Sequence, residues 1–160
     1  MKIHVTGRPD KISLKLIKEA INFYSDCLLS QRLKENIELK VEFSDLHKEE
    51  KIFGDCGPDH FDDYFPRDFI MRIDADQSSS KILRTIAHEI THLAQYAQGT
   101  LKDYVRTDKT RWDGEIYNYG NDNETLAQYY LAPWEVEASG YENNLYRLFV
   151  LTKKRKKQIS

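Results

Sequence analysis

Residues 86–94 read IAHEITHLA. In a helix of about 3.6 residues per turn, His88 and His92 lie one above the other on the same face, so both imidazoles can reach one metal ion. Glu89 lies about 100° further round the helix, where its carboxylate can take a proton from a water molecule held by that metal. The segment therefore predicts two zinc ligands and a general base.

The residues around these histidines predict a buried helix. Apolar side chains recur at intervals of three and four, at Ile82, Leu83, Ile86, Ala87, Ile90, Leu93, Ala94 and Ala97. Burying ionisable groups among them is costly unless the groups are paired or bound to a metal. The alternative is a pair of surface histidines beside an ordinary glutamate. A serine at 78–80 can cap the start of this helix, and Gly99 can end it.

The chain has 160 residues and carries a formal net charge of -2, which suits one domain with a buried core. The charge is uneven, because residues 153–157 read KKRKK and the remainder holds 19 basic against 26 acidic residues. We predict a single domain over residues 1–152 and a basic C-terminal tail over 153–160. The tail is either the solvated end of the last helix or a segment that attracts nucleic acid.

Neither a membrane segment nor a secretory leader is predicted. No apolar run approaches the length of about eighteen residues that a spanning helix needs, and residues 1–7 show no long apolar core before a small-residue cleavage site. The two cysteines, Cys27 and Cys56, are too few for a disulfide framework. We expect a cytoplasmic protein with reduced cysteines and no membrane partner, in which Cys27 lies on the apolar face of a helix, in the core.

Hydrophobic periodicity predicts a mixed α+β fold. The clearest strand is 37–43, where apolar and charged residues alternate over seven positions. Besides the histidine helix, the predicted elements are strands at 2–6 and 69–73 and helices over about 13–33 and 133–151. The strand at 69–73 ends just before the histidine helix, so it can lie at the cleft and bind an extended peptide through main-chain hydrogen bonds. The alternative is an ordinary strand of the sheet.

Residues 101–131 hold many aromatic, Asn and Asp side chains without a persistent period. A connection of this length is uncommon unless it serves a site, and its aromatic content argues against disorder. We expect it to contain some hairpin or short helix and to pack over the metal cleft; the alternative is that its tyrosines only tie it to the core. Tyr129, Tyr130 and His60 are unranked candidates for stabilising an oxyanion.

A catalytic zinc ion usually has three protein ligands, and the predicted last helix offers Glu135 and Glu137 as the third. These two lie about 200° apart round a helix, so only one can face the metal. The segments HEITH at 88–92 and EVEAS at 135–139 resemble the two motifs of the gluzincin metallopeptidases, His-Glu-x-x-His and Glu-x-x-Ala followed by Asp or Asn. The resemblance is to small metallopeptidase-like proteins of phage and bacterial genomes and covers about residues 70–150. It implies Glu135 as the ligand.

The resemblance implies a zincin-like (minigluzincin) domain, in which a small twisted, mostly antiparallel sheet packs on the N-terminal helix, the histidine helix and the C-terminal helix. It also implies a zinc metallopeptidase that acts on a protein or peptide substrate. Zn²⁺ is then held by His88, His92 and Glu135, and Glu89 is the general base of peptide-bond hydrolysis.

One position departs from the family pattern. Ser139 stands where the family has Asp or Asn, a residue that orients a ligand histidine, so Ser139, Asp103 and Asp122 are the candidates for that hydrogen bond. No third histidine follows shortly after His92, which argues against the metzincin arrangement.

Two other functions stay open. One is a metal-bearing regulatory module that cleaves little or nothing, although the intact Glu89 argues against it. The other is a protease recruited to nucleic acid by the basic tail, resembling the SprT-like proteins that act on DNA-bound substrates.

Overall fold

The computed structural model describes residues 1–61, 64–118 and 126–159. Strands and helices alternate along the first half of the chain, which confirms the mixed α and β composition. In chain order the elements are β1 (Lys2–Thr6), α1 (Leu14–Leu28), α2 (Gln31–Glu35), β2 (Glu38–Ser44), α3 (Leu46–Glu50), β3 (Gly54–Pro58), β4 (Asp68–Asp74), α4 (Ser79–Gln98), β5 (Leu101–Tyr104), β6 (Lys109–Trp112), β7 (Glu115–Asn118), α5 (Leu126–Tyr130) and α6 (Pro133–Ile159).

The larger sheet has the strand order β1-β2-β4-β3. In it β2 pairs in parallel with both β1 and β4, and only β3 runs antiparallel to its neighbour. The prediction that this sheet is mostly antiparallel is therefore wrong. The helices between β1 and β2 carry the chain back along the sheet, so that the next strand enters from the same end. A second sheet, β5-β6-β7, is antiparallel throughout.

The core lies between one face of the larger sheet and the helices α1 and α4. Leu39, Val41 and Phe43 of β2 are buried and alternate with more exposed residues, as the sequence pattern predicts. Helix α6 packs along α4 and also reaches α1, where the rings of Tyr24 and Phe149 lie 5.7 Å apart. The three helices thus share one core, and α4 lies at its centre.

The N-terminal helix is shorter than predicted. Helix α1 ends at Leu28, and the Ser30 hydroxyl accepts a hydrogen bond from the Leu33 amide, 3.3 Å away, which starts α2. Cys27 is exposed on the last turn of α1, so its predicted place in the core is wrong.

The last helix is longer than predicted and continues beyond Leu151 to Ile159. The basic residues from Lys153 onward therefore form its final turns. Lys153 pairs with Glu19 of α1, and its ammonium lies 5.6 Å from the centre of the Phe149 ring. None of the helices in the described residues is both long and apolar enough to cross a membrane.

Both predicted ends of the histidine helix are confirmed. The Ser78 hydroxyl accepts a hydrogen bond from the Lys81 amide and caps the start of α4. Gly99 ends the helix with φ at 77°, a left-handed conformation that glycine adopts without a steric penalty. The long connection that follows contains β5, β6, β7 and α5, which agrees with the predicted hairpin and short helical content.

Candidate metal centre and active-site cleft

Three side chains from two helices meet at one point. The Nε2 atoms of His88 and His92, one turn apart on α4, lie 3.1 Å from each other. Glu135, in the first turn of α6, places one carboxylate oxygen 3.3 Å from the His88 Nε2 and the other 3.3 Å from the His92 Nε2. Among the described residues, these three form the one cluster of potential ligands with the spacing of a metal site.

The spacing of these atoms fits zinc. Ligands about 2.0–2.1 Å from a tetrahedral zinc ion lie about 3.3 Å from one another. In this cluster the two Nε2 atoms lie 3.1 Å apart, and each lies 3.3 Å from a different oxygen of the Glu135 carboxylate. One ligand atom from each of the three residues lies within 4.8 Å of the others. Two imidazoles and a carboxylate are also a donor set that zinc prefers, and they leave a fourth position free. The residues present therefore fit a catalytic zinc ion.

The charges of the cluster favour a cation. Burial raises the pKa of Glu135, but the two adjacent histidines outweigh this effect and lower the pKa to about 2. Burial lowers the pKa of His88, but the adjacent carboxylates of Glu135 and Glu142 outweigh it and raise the pKa to about 10. The pKa of His92 is raised in the same way, against its burial, by Glu135 and Glu89. The ionised carboxylate of Glu135 therefore favours a positive charge between the two imidazoles.

Gln95 orients one of the histidines. Its Nε2 donates to the Trp134 carbonyl at 3.1 Å and to Glu137 Oε2 at 2.8 Å, so its Oε1 is the atom that faces His92 Nδ1 at 2.8 Å. An amide oxygen only accepts, so His92 carries a proton on Nδ1, and Nε2 is the nitrogen that faces the cluster and is available to a metal. Gln95 lies one turn after His92 on α4, and that spacing was the available sequence signal.

The imidazole of His88 has the carboxylate of Glu142 on its Nδ1 side. Glu142 Oε2 lies 3.6 Å from His88 Nδ1. Glu142 follows Glu135 by seven residues, which is two turns of α6 and the same helix face. The candidates proposed from the sequence do not fill this role: Ser139 is exposed, and Asp103 accepts hydrogen bonds from Tyr96 and Thr110. Asp122 lies outside the described residues.

Glu135 and Glu137, the two candidates for the third ligand, lie in different environments. Glu135 is 5% exposed and faces the histidines, whereas Glu137 is exposed and its carboxylate accepts a hydrogen bond from Gln95. Only Glu135 is in a position to share an ion with both imidazoles.

Glu89 is buried beside the cluster, with 4% of its surface exposed. Burial raises the pKa of its carboxyl to about 7, against the opposing effect of the two histidines. A Cβ atom on Gly54 would lie 3.2 Å from Glu89 Oε1 and 2.6 Å from Thr85 Cγ2. Glycine at this position therefore lets strand β3 pass close to α4, next to the carboxylate.

The cluster opens into a cleft of about 740 Å³, a volume typical of ligand-binding sites. Strand β3 and the turn before it form one wall. The long connection contributes to the other side, as predicted, through Leu101, Asp103, Thr110, Tyr129 and Tyr130.

The three candidates for stabilising an oxyanion differ in their distance from the cleft. Tyr129 and Tyr130 line the cleft, whereas His60 is exposed on the loop beyond β3. Burial, the charge of Glu135 and a hydrogen bond to it raise the pKa of Tyr129, so its hydroxyl stays protonated and can donate. The strand predicted at 69–73 is β4, an inner strand between β2 and β3, and the edge strand at the cleft is β3.

Comparisons with protein-family models, curated proteins and solved structures give no match to this chain.

Proposed function

We propose that the protein is a zinc-dependent peptidase of the gluzincin type with a zincin-like domain. One observation carries the proposal. His88, His92 and Glu135 converge so that one ligand atom from each lies within 4.8 Å of the others, and the buried carboxylate of Glu89 lies beside them in an open cleft. A structural zinc site is normally closed by four protein ligands, whereas three ligands in a cleft are typical of a catalytic site.

In this proposal His88, His92 and Glu135 hold the metal. When bound, zinc supplies a Lewis acid that polarises the scissile carbonyl and lowers the pKa of a water molecule. Gln95 keeps the Nε2 lone pair of His92 directed at the metal, and Glu142 does the same from behind His88.

Glu89 moves the proton. Its carboxylate accepts a proton from the attacking water and passes it to the nitrogen of the leaving amine. Burial has already raised the pKa of this carboxyl to about 7, near neutrality, where a group both accepts and releases a proton readily. Tyr129, with its protonated hydroxyl in the cleft, is the better placed of the two tyrosines to donate to the oxyanion, because it already reaches Glu135.

The shape of the cleft favours a peptide substrate. β3 is the edge strand of the larger sheet and runs along the cleft beside Glu89. An extended peptide can pair with the free edge of such a strand through main-chain hydrogen bonds, which leaves its scissile bond near the metal. This binding mode recognises the peptide backbone, so it does not by itself select a sequence.

The test is the Glu89→Gln variant, assayed on a diverse peptide library by mass spectrometry. We expect wild-type protein with zinc to cleave peptides and to stop when a chelator is added. Glu89→Gln should bind one zinc ion per chain and lose roughly 100-fold to 10,000-fold in rate, the contribution typical of a general base. Glu49→Gln, at an exposed position on α3, is the matched control and should cleave normally.

Two results would contradict the proposal. Full activity in Glu89→Gln would rule out the proposed base. Zinc-loaded wild-type protein that cleaves no peptide would favour the metal-bearing regulatory module instead.

A further inference from the structure

The two ends of the cleft differ in charge. Lys51, at the end of α3, and Lys81 and Arg84, in the first half of α4, all line the same end. The other end, toward the second half of α4, is lined by Tyr96 and Trp134. Because α4 rises about 1.5 Å per residue, Arg84 and Lys81 lie about 6 and 10 Å along the axis from His88.

Two of these three cations make cation–π contacts with aromatic rings. The Lys81 ammonium lies 5.7 Å from the centre of the Phe53 ring, and the Arg84 guanidinium lies 5.0 Å from that of Tyr146. Phe53 itself stacks on His47, with ring centres 4.3 Å apart. Cation–π contacts of this kind hold a cation in place and leave its charge available.

The acidic groups near this end are already engaged. Arg72 forms ion pairs with both Glu50 and Asp55, and Glu142 lies against His88. The ion pairs of the described residues include none with Lys51, Lys81 or Arg84. This end of the cleft therefore carries three positive charges without a carboxylate partner in the described part of the chain.

We propose that this basic end, formed by Lys51, Lys81 and Arg84, binds an acidic side chain of the peptide substrate. The inference rests on the proposed function, because the peptide and the position of its scissile bond come from it. An extended chain advances about 3.3 Å per residue. The axial distances of Arg84 and Lys81 from His88 then place the selected Asp or Glu two or three residues from the bond that is cleaved.

The size of the preference follows from the exposure of these cations. All three are exposed, so water screens their attraction for a carboxylate. Unit charges about 4 Å apart in water favour binding by roughly fivefold. Two such cations together give a preference of roughly 25-fold for a glutamate over the glutamine of the same shape, and added salt reduces it.

The experiment uses two pools of fluorescent octapeptides built from uncharged residues, with one central position fixed as Glu in the first pool and as Gln in the second. Binding is measured by anisotropy on the zinc-loaded Glu89→Gln variant, which does not consume the peptides. Lys81→Gln with Arg84→Gln, both on the exposed side of α4, is added in the same background. Lys15→Gln with Lys18→Gln, at two exposed lysines on α1 away from the cleft, is the matched control for net charge.

We expect the Glu pool to bind roughly 25-fold more tightly, the double variant to keep at most the roughly fivefold preference that Lys51 alone supplies, and the Lys15→Gln with Lys18→Gln variant to keep the full preference. Equal binding of the two pools, or a preference that the Lys81→Gln with Arg84→Gln variant leaves unchanged, would overturn the proposal. Cleavage of the pools by wild-type protein is read separately by mass spectrometry. If the Glu pool binds more tightly but no peptide is cleaved, the peptidase proposal is refuted and the basic end is supported. If peptides are cleaved but the two pools bind equally, the basic end is refuted and the peptidase proposal is supported.

Discussion

Substituting Gln95 by alanine removes the side chain that joins the candidate metal centre to α6. Gln95 is buried, with 3% exposed, and its amide makes three hydrogen bonds, to His92 Nδ1, the Trp134 carbonyl and Glu137. Alanine keeps the helix, since it is the best helix former, and deletes all three contacts.

The first expected effect is weaker zinc binding. Without the acceptor at Nδ1, the His92 ring is free to turn and to take the tautomer that places its proton on Nε2, the atom that faces the metal. Loss of such a hydrogen bond costs about tenfold to 100-fold in metal affinity, or about 1.4–2.7 kcal/mol.

The second expected effect is lower stability of the metal-free protein. Two of the lost hydrogen bonds tie α4 to α6, and one of them has a charged acceptor, so the loss is about 1–3 kcal/mol. In a chain of this length each kcal/mol lowers the Tm by about 2–4 °C.

Zinc affinity is measured by competition with a chromophoric chelator, and stability by thermal melting with and without zinc. Glu137→Gln is the control, because it keeps Gln95 and its bond to His92 and changes only the distal acceptor; its zinc affinity should stay within about twofold of wild type. A Gln95→Ala protein that binds zinc as tightly as wild type would refute the orienting role.

Three substitutions away from the cluster test the fold, each by chemical denaturation. Gly140→Ala, in the middle of α6 with nothing within 4 Å of the new Cβ, should raise the free energy of unfolding by about 0.5–1 kcal/mol, because alanine costs less backbone entropy than glycine; a loss would mean that α6 is strained there. Gly99→Ala should lower it by about 1–2 kcal/mol, because φ is 77° and the Cβ would lie 2.6 Å from Phe65 Cε1; an unchanged value would contradict the left-handed helix end. Tyr24→Phe should raise it by about 1 kcal/mol, since among the described residues the buried Tyr24 hydroxyl has no hydrogen-bond partner; a clear loss would reveal a partner.

Local chemistry made the helix that carries His88 and His92 predictable. The caps at Ser78 and Gly99 act within one turn of their own positions, and the histidines meet because of helical spacing alone. The choice of Glu135 over Glu137 came from the family resemblance, and the structure agrees in position because the first turn of α6 faces α4 at Glu135.

Features that depend on distant parts of the chain were not predictable. β3 reads GDCGP, with two glycines and a proline, and such a segment forms a strand here only because β4 is beside it. The parallel pairing of β2 depends on how the intervening helices cross the sheet, which periodicity does not encode. Gln95 and Glu142 were missed for a related reason: many polar residues share a helix face with a candidate ligand, and only packing shows which ones reach it.

The central claim is that His88, His92 and Glu135 hold one zinc ion. It is tested most directly by measuring zinc per chain, by mass spectrometry after dialysis against a weak chelator, in Glu135→Gln beside Glu137→Gln. The two variants make the same chemical change two residues apart on α6, and only the first alters the carboxylate that lies 3.3 Å from both histidines. We expect one zinc per chain in wild type and in Glu137→Gln, and almost none in Glu135→Gln. Equal zinc in the two variants, or none in wild type, would contradict the claim.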